Sequence, residues 1–416
     1  GTPVFASPSG DKMINTLVDL NKIPLFFSCD IVIGESSMYS DYLFPDTAVW
    51  ERWGMTHITP ACPVMTSKVR QPTVEPLIDK CTVYGEEMHI SMEAIMLAIA
   101  EKLNLPGHGK DGFGPGMDFV RPEDYYLKMV SNIAAGDNPG DWVPDASDEE
   151  MEIYLKARKH LSPAVFDAAR YEKACIDENG TNWWRKAVHV MNKGGRYENF
   201  DKYRNSGDKM PHPFKNQMNL YCEDVALTRH SYSGERFSGI APAEPVKAYD
   251  GTVITDQDYP LALITYKEIT GGQSRTGGNY WLTNVLHENY VIINAKTAEE
   301  LGLKDGQKVR VISASNEEGE WDLKNGEKIP VVGKLKVVQG MRPGVVAASW
   351  HYGHWAYGAN DVEINGETIK GDKRRRKGFC TNSVMRTDSK MNNVCLEDVI
   401  GGSSSFYDTK VKLVPA

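Results

Sequence analysis

Apolar and polar positions along the chain follow two different rhythms, and the change falls near residue 250. In "ISMEAIMLAIAEKLNL" (90–105), Met92, Ile95, Met96, Ile99 and Leu103 recur at three- and four-residue steps. That is the period of a helix with one apolar stripe, and the stripe is expected to face a core. Pro106 and Gly107 stop it. A second helix is expected from Pro122, after a Gly/Pro-rich loop. A third has an acidic start in "DWVPDASDEEMEIYLKARKHL", where negative charge suits the helix N-terminus. "WWRKAVHVMNKGG" predicts a fourth, ended by Gly194 and Gly195, and the polar stretch 203–216 reads as a connection. Upstream, "DKMINTLVDLNKIPLFF" predicts a helix feeding a strand. The run "IPLFFSCDIVIG" (23–34) is rich in β-branched and aromatic residues and is expected to be a buried strand.

Beyond residue 250 the helical period gives way to short alternating runs. "YPLALITYKEIT" (259–270), "VIINAKTAEELGLKDGQKVRVISAS", "NGEKIPVVGKLKVVQGMRPGVVAASWHYGHW" and "SSFYDTKVKLVPA" read as strands joined by Gly, Pro and Asp turns. Many short strands of this kind predict a closed or nearly closed β-barrel. The domains expected are 1–53, the end of an α/β domain; 54–250, a mixed helical α/β segment; and 251–416, a barrel.

Composition narrows the function classes. The chain has 416 residues, 41% hydrophobic and 25% charged, with a net charge of −9. The negative balance argues against a nucleic-acid partner, which would call for a basic face. No apolar run approaches the roughly 20 residues of a membrane helix. The seven cysteines are widely and irregularly spaced, without a CxxC pair. That predicts neither a structural zinc site nor a local iron–sulfur cluster, and an odd count gives no disulfide framework. No secretory signal pattern is present, and Gly1 falls inside what reads as folded sequence. A processed chain or part of a longer protein is expected.

Three stretches concentrate candidate chemistry. "GGQSRTGGNYW" (271–281) sets four glycines around Arg275. Such a run either is a flexible surface loop or lets the main chain approach an anion, with a guanidinium fork to match. "SWHYGHW" (349–355) places His351 and His354 three apart. A metal pair, a packed turn and a ligand contact all remain open, although Gly353 and the preceding strand-like run argue for a loop. Gly34, Glu35, Ser36 and Ser37 follow a strand. They suit either a ligand loop at a sheet edge or a helix N-cap. The five cations of "GDKRRRKG" (371–378) could attract an anionic substrate or dock a partner subunit, with a solvated loop as the default reading.

Taken in order, "SCDIVIGESSMYSDYLFPDTAVWER", "TYKEITGGQSRTGGNYW" with "NAKTAEELGLKDGQKVRV", and "SWHYGHWAYG" with "NNVCLEDVIGGSSSFYDTKVKL" resemble the C-terminal half of a molybdopterin oxidoreductase of the dimethyl sulfoxide reductase family. "YGEEMHISMEAIMLAIAEKLNLPG" and "GDKRRRKG" are most similar to the tetrathionate reductase and respiratory arsenate reductase group. The resemblance implies the end of a Rossmann-like α/β domain, a mixed α/β segment, and a C-terminal six-stranded double-psi β-barrel. It implies molybdenum held by two molybdopterin guanine dinucleotides, with a 4Fe–4S cluster expected upstream of this chain. Lys267, Gln273, Ser274, Arg275 and Thr276 would face the pterin and pyrophosphate. His351 and His354 would meet the pterin, and Asn392 and Asn393 its edge, unless the asparagines are simply a turn pair. Asp30, Glu35 and Ser36 would lie at the nucleotide-binding strand ends. The implied reaction is two-electron reduction of tetrathionate or arsenate, a small inorganic oxyanion or sulfur substrate. The implied partner is an iron–sulfur electron-transfer subunit, joined in some members by a membrane anchor, in the periplasm after export in folded form. Formate-, nitrate- or polysulfide-type chemistry is the alternative within the family. A stand-alone cofactor-binding protein without catalysis is the alternative outside it. No residue of this chain is expected to ligate the molybdenum.

Overall fold

The computed structural model describes residues 3–56, 65–198, 220–272, 276 and 278–416. The chain divides into two compact units, Gly1–Leu43 with Met218–Ala416, and Phe44–Gln217. The boundaries drawn on the sequence were 53/54 and 250/251; the units divide at 43/44 and 217/218.

The first unit is built on a closed six-stranded barrel. Its strands are β1 (Leu261–Tyr266), β2 (Tyr290–Asn294), β3 (Lys308–Ser313), β4 (Val332–Val338), β5 (Val345–Ser349) and β6 (Thr409–Pro415), in the order β1-β5-β2-β4-β3-β6. Two pairs are parallel, β1 with β5 and β2 with β4, and the other contacts around the ring are antiparallel. The period-two pattern fills the interior. Leu261, Leu263, Val291, Ile293, Val309, Val311, Leu335, Val411 and Leu413 are buried, and their neighbours in sequence are mostly more exposed. β5 departs from alternation because Val346, Ala347, Ala348 and Ser349 are all buried, as in a strand covered on both faces.

The N-terminal segment joins this core. Val4 and Phe5 of the short helix Pro3–Ala6, and Ile14 of the helix Gly10–Leu17, belong to the same apolar cluster as the barrel interior. The strand expected over 23–34 shrinks to Phe27–Asp30, and it is not buried. Leu25, Phe27, Ile31 and Val32 are exposed, because no described element of the unit covers that run.

The second unit packs the helices Pro122–Ala135, Asp148–Lys156, Ala168–Ala174 and Trp184–Asn192 around Trp53, Leu127, Val130, Tyr154, Tyr171 and Trp184. A three-stranded antiparallel sheet of Gly54–Thr56, Met65–Arg70 and Gly195–Glu198 belongs to it. The Gly/Pro-rich loop expected before Pro122 contains a hairpin, Gly109–Gly114 with Met117–Phe119. The helix Met92–Leu103 forms, capped by the Ser91 hydroxyl accepting from the Ala94 N–H at 3.1 Å. Its orientation reverses the expectation. Ala94, Leu97 and Ala100 are buried, whereas Met92, Met96, Ile99 and Leu103 are exposed. The helix is apolar on more than one face, so the choice of inward face falls to its neighbours. Val83 and Met88 of the adjoining hairpin accept the smaller side chains.

Candidate functional site: the loop-bearing rim of the barrel

Register alone brings the candidate stretches to one end of the barrel. Tyr266 lies opposite Ser349, Val291 opposite Ala348, and Tyr290 opposite Lys334. Ser313 lies opposite Val411, and Leu263 opposite Thr409. So β1, β5 and β3 finish where β2, β4 and β6 begin. The connections 267–289, 314–331 and 350–408 all leave and re-enter at this rim.

His351 follows directly from the end of β5. It is 5% exposed, and its imidazole is pushed down to about 4, first by burial and then by the charges of Lys267 and His354. At neutral pH it is therefore an uncharged ring. Gly271 makes room for it, since a Cβ there would stand 2.6 Å from His351 Cδ2. The Gly272 N–H donates to Thr276 Oγ1 at 2.8 Å. Lys267, exposed at the end of β1, stands 6.0 Å from the Trp350 ring centroid. Gln273, Ser274 and Arg275 lie outside the described residues.

His354 and Glu35 meet each other. His354 Nδ1 donates to Glu35 Oε1 at 2.7 Å, and the Ala356 N–H reaches the same oxygen at 3.2 Å. Both side chains are almost wholly buried, with the imidazole stacked on Phe5 at 4.0 Å. Glu35 Oε2, His354 Nε2 and the neighbouring Trp355 Nε1 are buried without a hydrogen-bond partner among the described residues. Ser36 and Asp30 are engaged locally. Ser36 Oγ accepts from the Val4 N–H at 3.0 Å, and Asp30 Oδ2 accepts from Ser37 Oγ at 3.1 Å. Asn392 and Asn393 occupy a separate exposed turn at φ 55° and 60°. These are consecutive left-handed positions, which asparagine tolerates well. The Asn393 N–H closes the turn onto the Asp388 carbonyl at 2.8 Å.

Two residues of the rim carried no usable signal in the sequence. Asn289, 2% exposed, donates to the carbonyls of Ser349 and Phe379 and accepts from the Phe379 N–H at 3.0 Å. It thereby fixes the start of β2, the end of β5 and the chain at 379 together. Arg375, inside the run expected to be solvated, turns inward, and its Nη1 donates to the Tyr357 carbonyl at 2.6 Å. A lone Asn has no local signature, and a run of five cations conceals which one is different.

A family model described as the molydopterin dinucleotide binding domain matches residues 261–394, covering β1 to β5 and most of the rim. A selenate reductase subunit from Mesobacillus selenatarsenatis is 42% identical over 414 residues, which are 99% of this chain and 39% of that protein. Over nearly its whole length the chain is similar to part of a molybdopterin oxidoreductase. A tetrathionate reductase subunit from Salmonella typhimurium is 29% identical, over 92% of this chain and 35% of that one. The chain thus spans between 35% and 39% of the length of these two curated relatives. The acetylene hydratase from Pelobacter acetylenicus shares the fold, with a TM-score of 0.51 at 14% identity, over 99% of this chain and 43% of that one.

The cofactor of such an oxidoreductase is a molybdopterin guanine dinucleotide with molybdenum, and the rim suits the organic part of it. Buried polar atoms of Glu35, His354 and Trp355 have no partner among the described residues, as polar atoms awaiting an organic ligand would. The uncharged His351 ring and the cations of Arg374, Arg375 and Lys377 line one cavity with Gly271 and Thr276. Trp281 and Ile269 present exposed apolar faces beside that loop. No set of three or more His, Cys, Asp or Glu side chains among the described residues is placed to hold a metal ion. Cys380 is equally unsuited, because burial pushes its thiol up to about 12.

Proposed function

We propose that this chain is the dinucleotide-gripping part of a respiratory molybdenum reductase acting on a small oxyanion or sulfur substrate. Selenate comes first, on the 42% identity to a selenate reductase subunit. Tetrathionate and arsenate follow. The observation that carries the reading is the convergence, at one barrel rim, of the glycine-rich loop, the neutral His351 and the uncommitted atoms around His354.

When bound, the molybdenum cofactor supplies two-electron redox chemistry. This chain's residues hold and orient. Lys267 supplies positive charge at the start of the 267–289 loop. Gln273, Ser274, Arg275 and Thr276 would offer donors to phosphate and pterin oxygens. His351, uncharged, would donate a hydrogen bond without adding charge. Glu35 fixes the His354 ring through Nδ1 and leaves Nε2 for a ligand. Asn392 and Asn393 hold exposed amides that could read a ring edge, and Asp30 and Ser36 would shape the Gly34–Ser37 loop.

The proposal extends to the complete protein: a 4Fe–4S cluster, an iron–sulfur partner subunit, a membrane anchor in some assemblies, and a periplasmic location. Purification of the full subunit tests it. Molybdenum, guanine nucleotide released by acid, and reduction of selenate, tetrathionate or arsenate with a viologen donor would be measured. A subunit holding neither molybdenum nor guanine nucleotide would sink the reading. Activity on arsenate or tetrathionate but not selenate would correct the substrate alone.

A further inference from the structure

The basic turn Lys373–Arg376 resolves into cations with different fates. Arg374 pairs with Asp372 at 2.6 Å. Arg376 pairs with Glu327 and also reaches Asn360 Oδ1 at 3.0 Å. Arg375, between them, has no carboxylate partner among the described residues. It is nonetheless held firmly. Its Nη1 donates to the Tyr357 carbonyl, and its guanidinium lies 4.5 Å from the Tyr280 ring centroid. Two glycines flank it. A Cβ on Gly358 would stand 2.7 Å from Nη1, and one on Gly278 3.7 Å. Gly358 also has φ +70°, so a side chain there would meet both strain and the guanidinium. Arg375 Nε is buried and lacks a partner. The cavity beside it is lined by Gly271, Thr276, His351, Arg374 and Lys377 as well.

We infer that Arg375 is a second anion receptor of the rim, placed to take a phosphate of the bound dinucleotide through the Nε side of its fork. The inference rests on the function proposed above and adds a residue to it. An arginine serving only to close a core would spend its nitrogens on carbonyls and a carboxylate. Here one nitrogen is anchored, the guanidinium lies against Tyr280, Nε is buried without a partner, and the cavity that Arg375 lines has no carboxylate in its wall. A partly buried guanidinium is costly in that state, and a phosphate would supply both the charge and the acceptors. The dinucleotide is favoured over the substrate because the same cavity is walled by Gly271 and Thr276 of the glycine-rich loop.

The test uses the full subunit isolated with its cofactor, reading guanine nucleotide and molybdenum per protein after extended dialysis. Arg375→Gln is expected to lower retained nucleotide about ten-fold. Lys370→Gln, which removes an exposed cation paired with Asp361 away from the cavity, is expected to leave it unchanged. Arg375→Lys keeps the charge but loses the fork, and an intermediate loss of about three-fold is expected. If Arg375→Gln does not yield folded protein, the lysine variant decides, and wild-type retention there overturns the inference. Wild-type retention in Arg375→Gln overturns it too, as does an equal fall in Lys370→Gln. Full retention with a raised KM for the oxyanion would assign the anion to the substrate instead. A wild-type subunit that carries no guanine nucleotide counts against the proposed function itself, so the two failures are distinct.

Discussion

Arg121 and Arg375 are both arginines drawn in from the surface, one in each compact unit, and they are treated in opposite ways. Arg121 is 2% exposed. Its Nε reaches Glu123 at 2.6 Å, Nη1 the Glu87 carbonyl at 2.6 Å, and Nη2 the Ala164 carbonyl at 2.6 Å. Every nitrogen is used, and separate segments of the Phe44–Gln217 unit are tied by one side chain. Arg375 uses Nη1 and leaves Nε without a partner. A guanidinium whose hydrogen bonds close within the protein is a structural element. One whose position is fixed but whose fork is left open is a receptor. The distinction is geometric and can be made before any ligand is seen.

Breaking the closed cluster is expected to have the largest effect on stability. Arg121→Ala removes one of the two guanidinium partners of Glu123, itself 6% exposed, leaving Arg170 at 2.9 Å, and strips two carbonyls of their donors. A loss of about 3–5 kcal/mol follows from leaving two carbonyls without their donor and weakening a buried ion pair, read by urea denaturation. A loss below about 1 kcal/mol would mean that water replaces the guanidinium, and the contrast between the two arginines would fail. Glu35→Ala comes next. It deprives His354 Nδ1 and the Ala356 N–H of their shared acceptor in a buried site, at an expected cost of about 2–3 kcal/mol. Calorimetric melting of the two variants should rank them in that order.

The pH dependence of His351 is an intermediate effect with a definite sign. Its pKa is near 4 when folded, and about 6.5 in an unfolded chain. Between those values the unfolded state binds more protons, so stability is full above pH 6.5 and falls as the pH drops towards 4. The loss should be roughly 1–3 kcal/mol. It should disappear in His351→Gln, measured as the difference between the two pH profiles. Gly271→Ala probes the same ring from the other side. Its new Cβ would press on His351 at 2.6 Å, at an expected cost of about 1–2 kcal/mol. Because the imidazole must then shift, the acid-side slope should shrink as well.

How far the sequence carried these conclusions varies with the range of the signal. Barrel strands could be read because alternation is local. Leu261, Leu263, Val309 and Val311 declare their inward face without help from distant residues. The helix Met92–Leu103 was legible as a helix but not in its orientation, since Leu97 and its alanines compete with Met96 and Ile99 and only the partner decides. The strand before Asp30 had the right composition for burial, yet burial depends on what lies over it. At the rim, small residues around one charge and two histidines three apart marked loops that the register brings to one end of the barrel. What could not be read was pairing over long sequence separation. Glu35 meets His354 across 319 residues, and Asn289 clamps Phe379 across 90. Nothing near either residue in the chain foretells such a partner.

The smallest expected stability effect is the one that sharpens the comparison most. Arg375→Ala removes one hydrogen bond to Tyr357 and a stacking contact on Tyr280, but it strands no carboxylate. It also relieves a partly buried cation of its desolvation cost. In protein free of cofactor these terms oppose each other, so the change should stay within about 1 kcal/mol. In protein carrying the dinucleotide the same substitution removes a charge-assisted contact, and the loss should be clearly larger. The informative quantity is thus the difference between the two forms, followed by thermal melting before and after cofactor release. Arg121→Ala should show no such difference, because its partners are all within the protein. Equal losses for Arg375→Ala in both forms would make it a structural arginine like Arg121, and the open fork would then be only a packing defect.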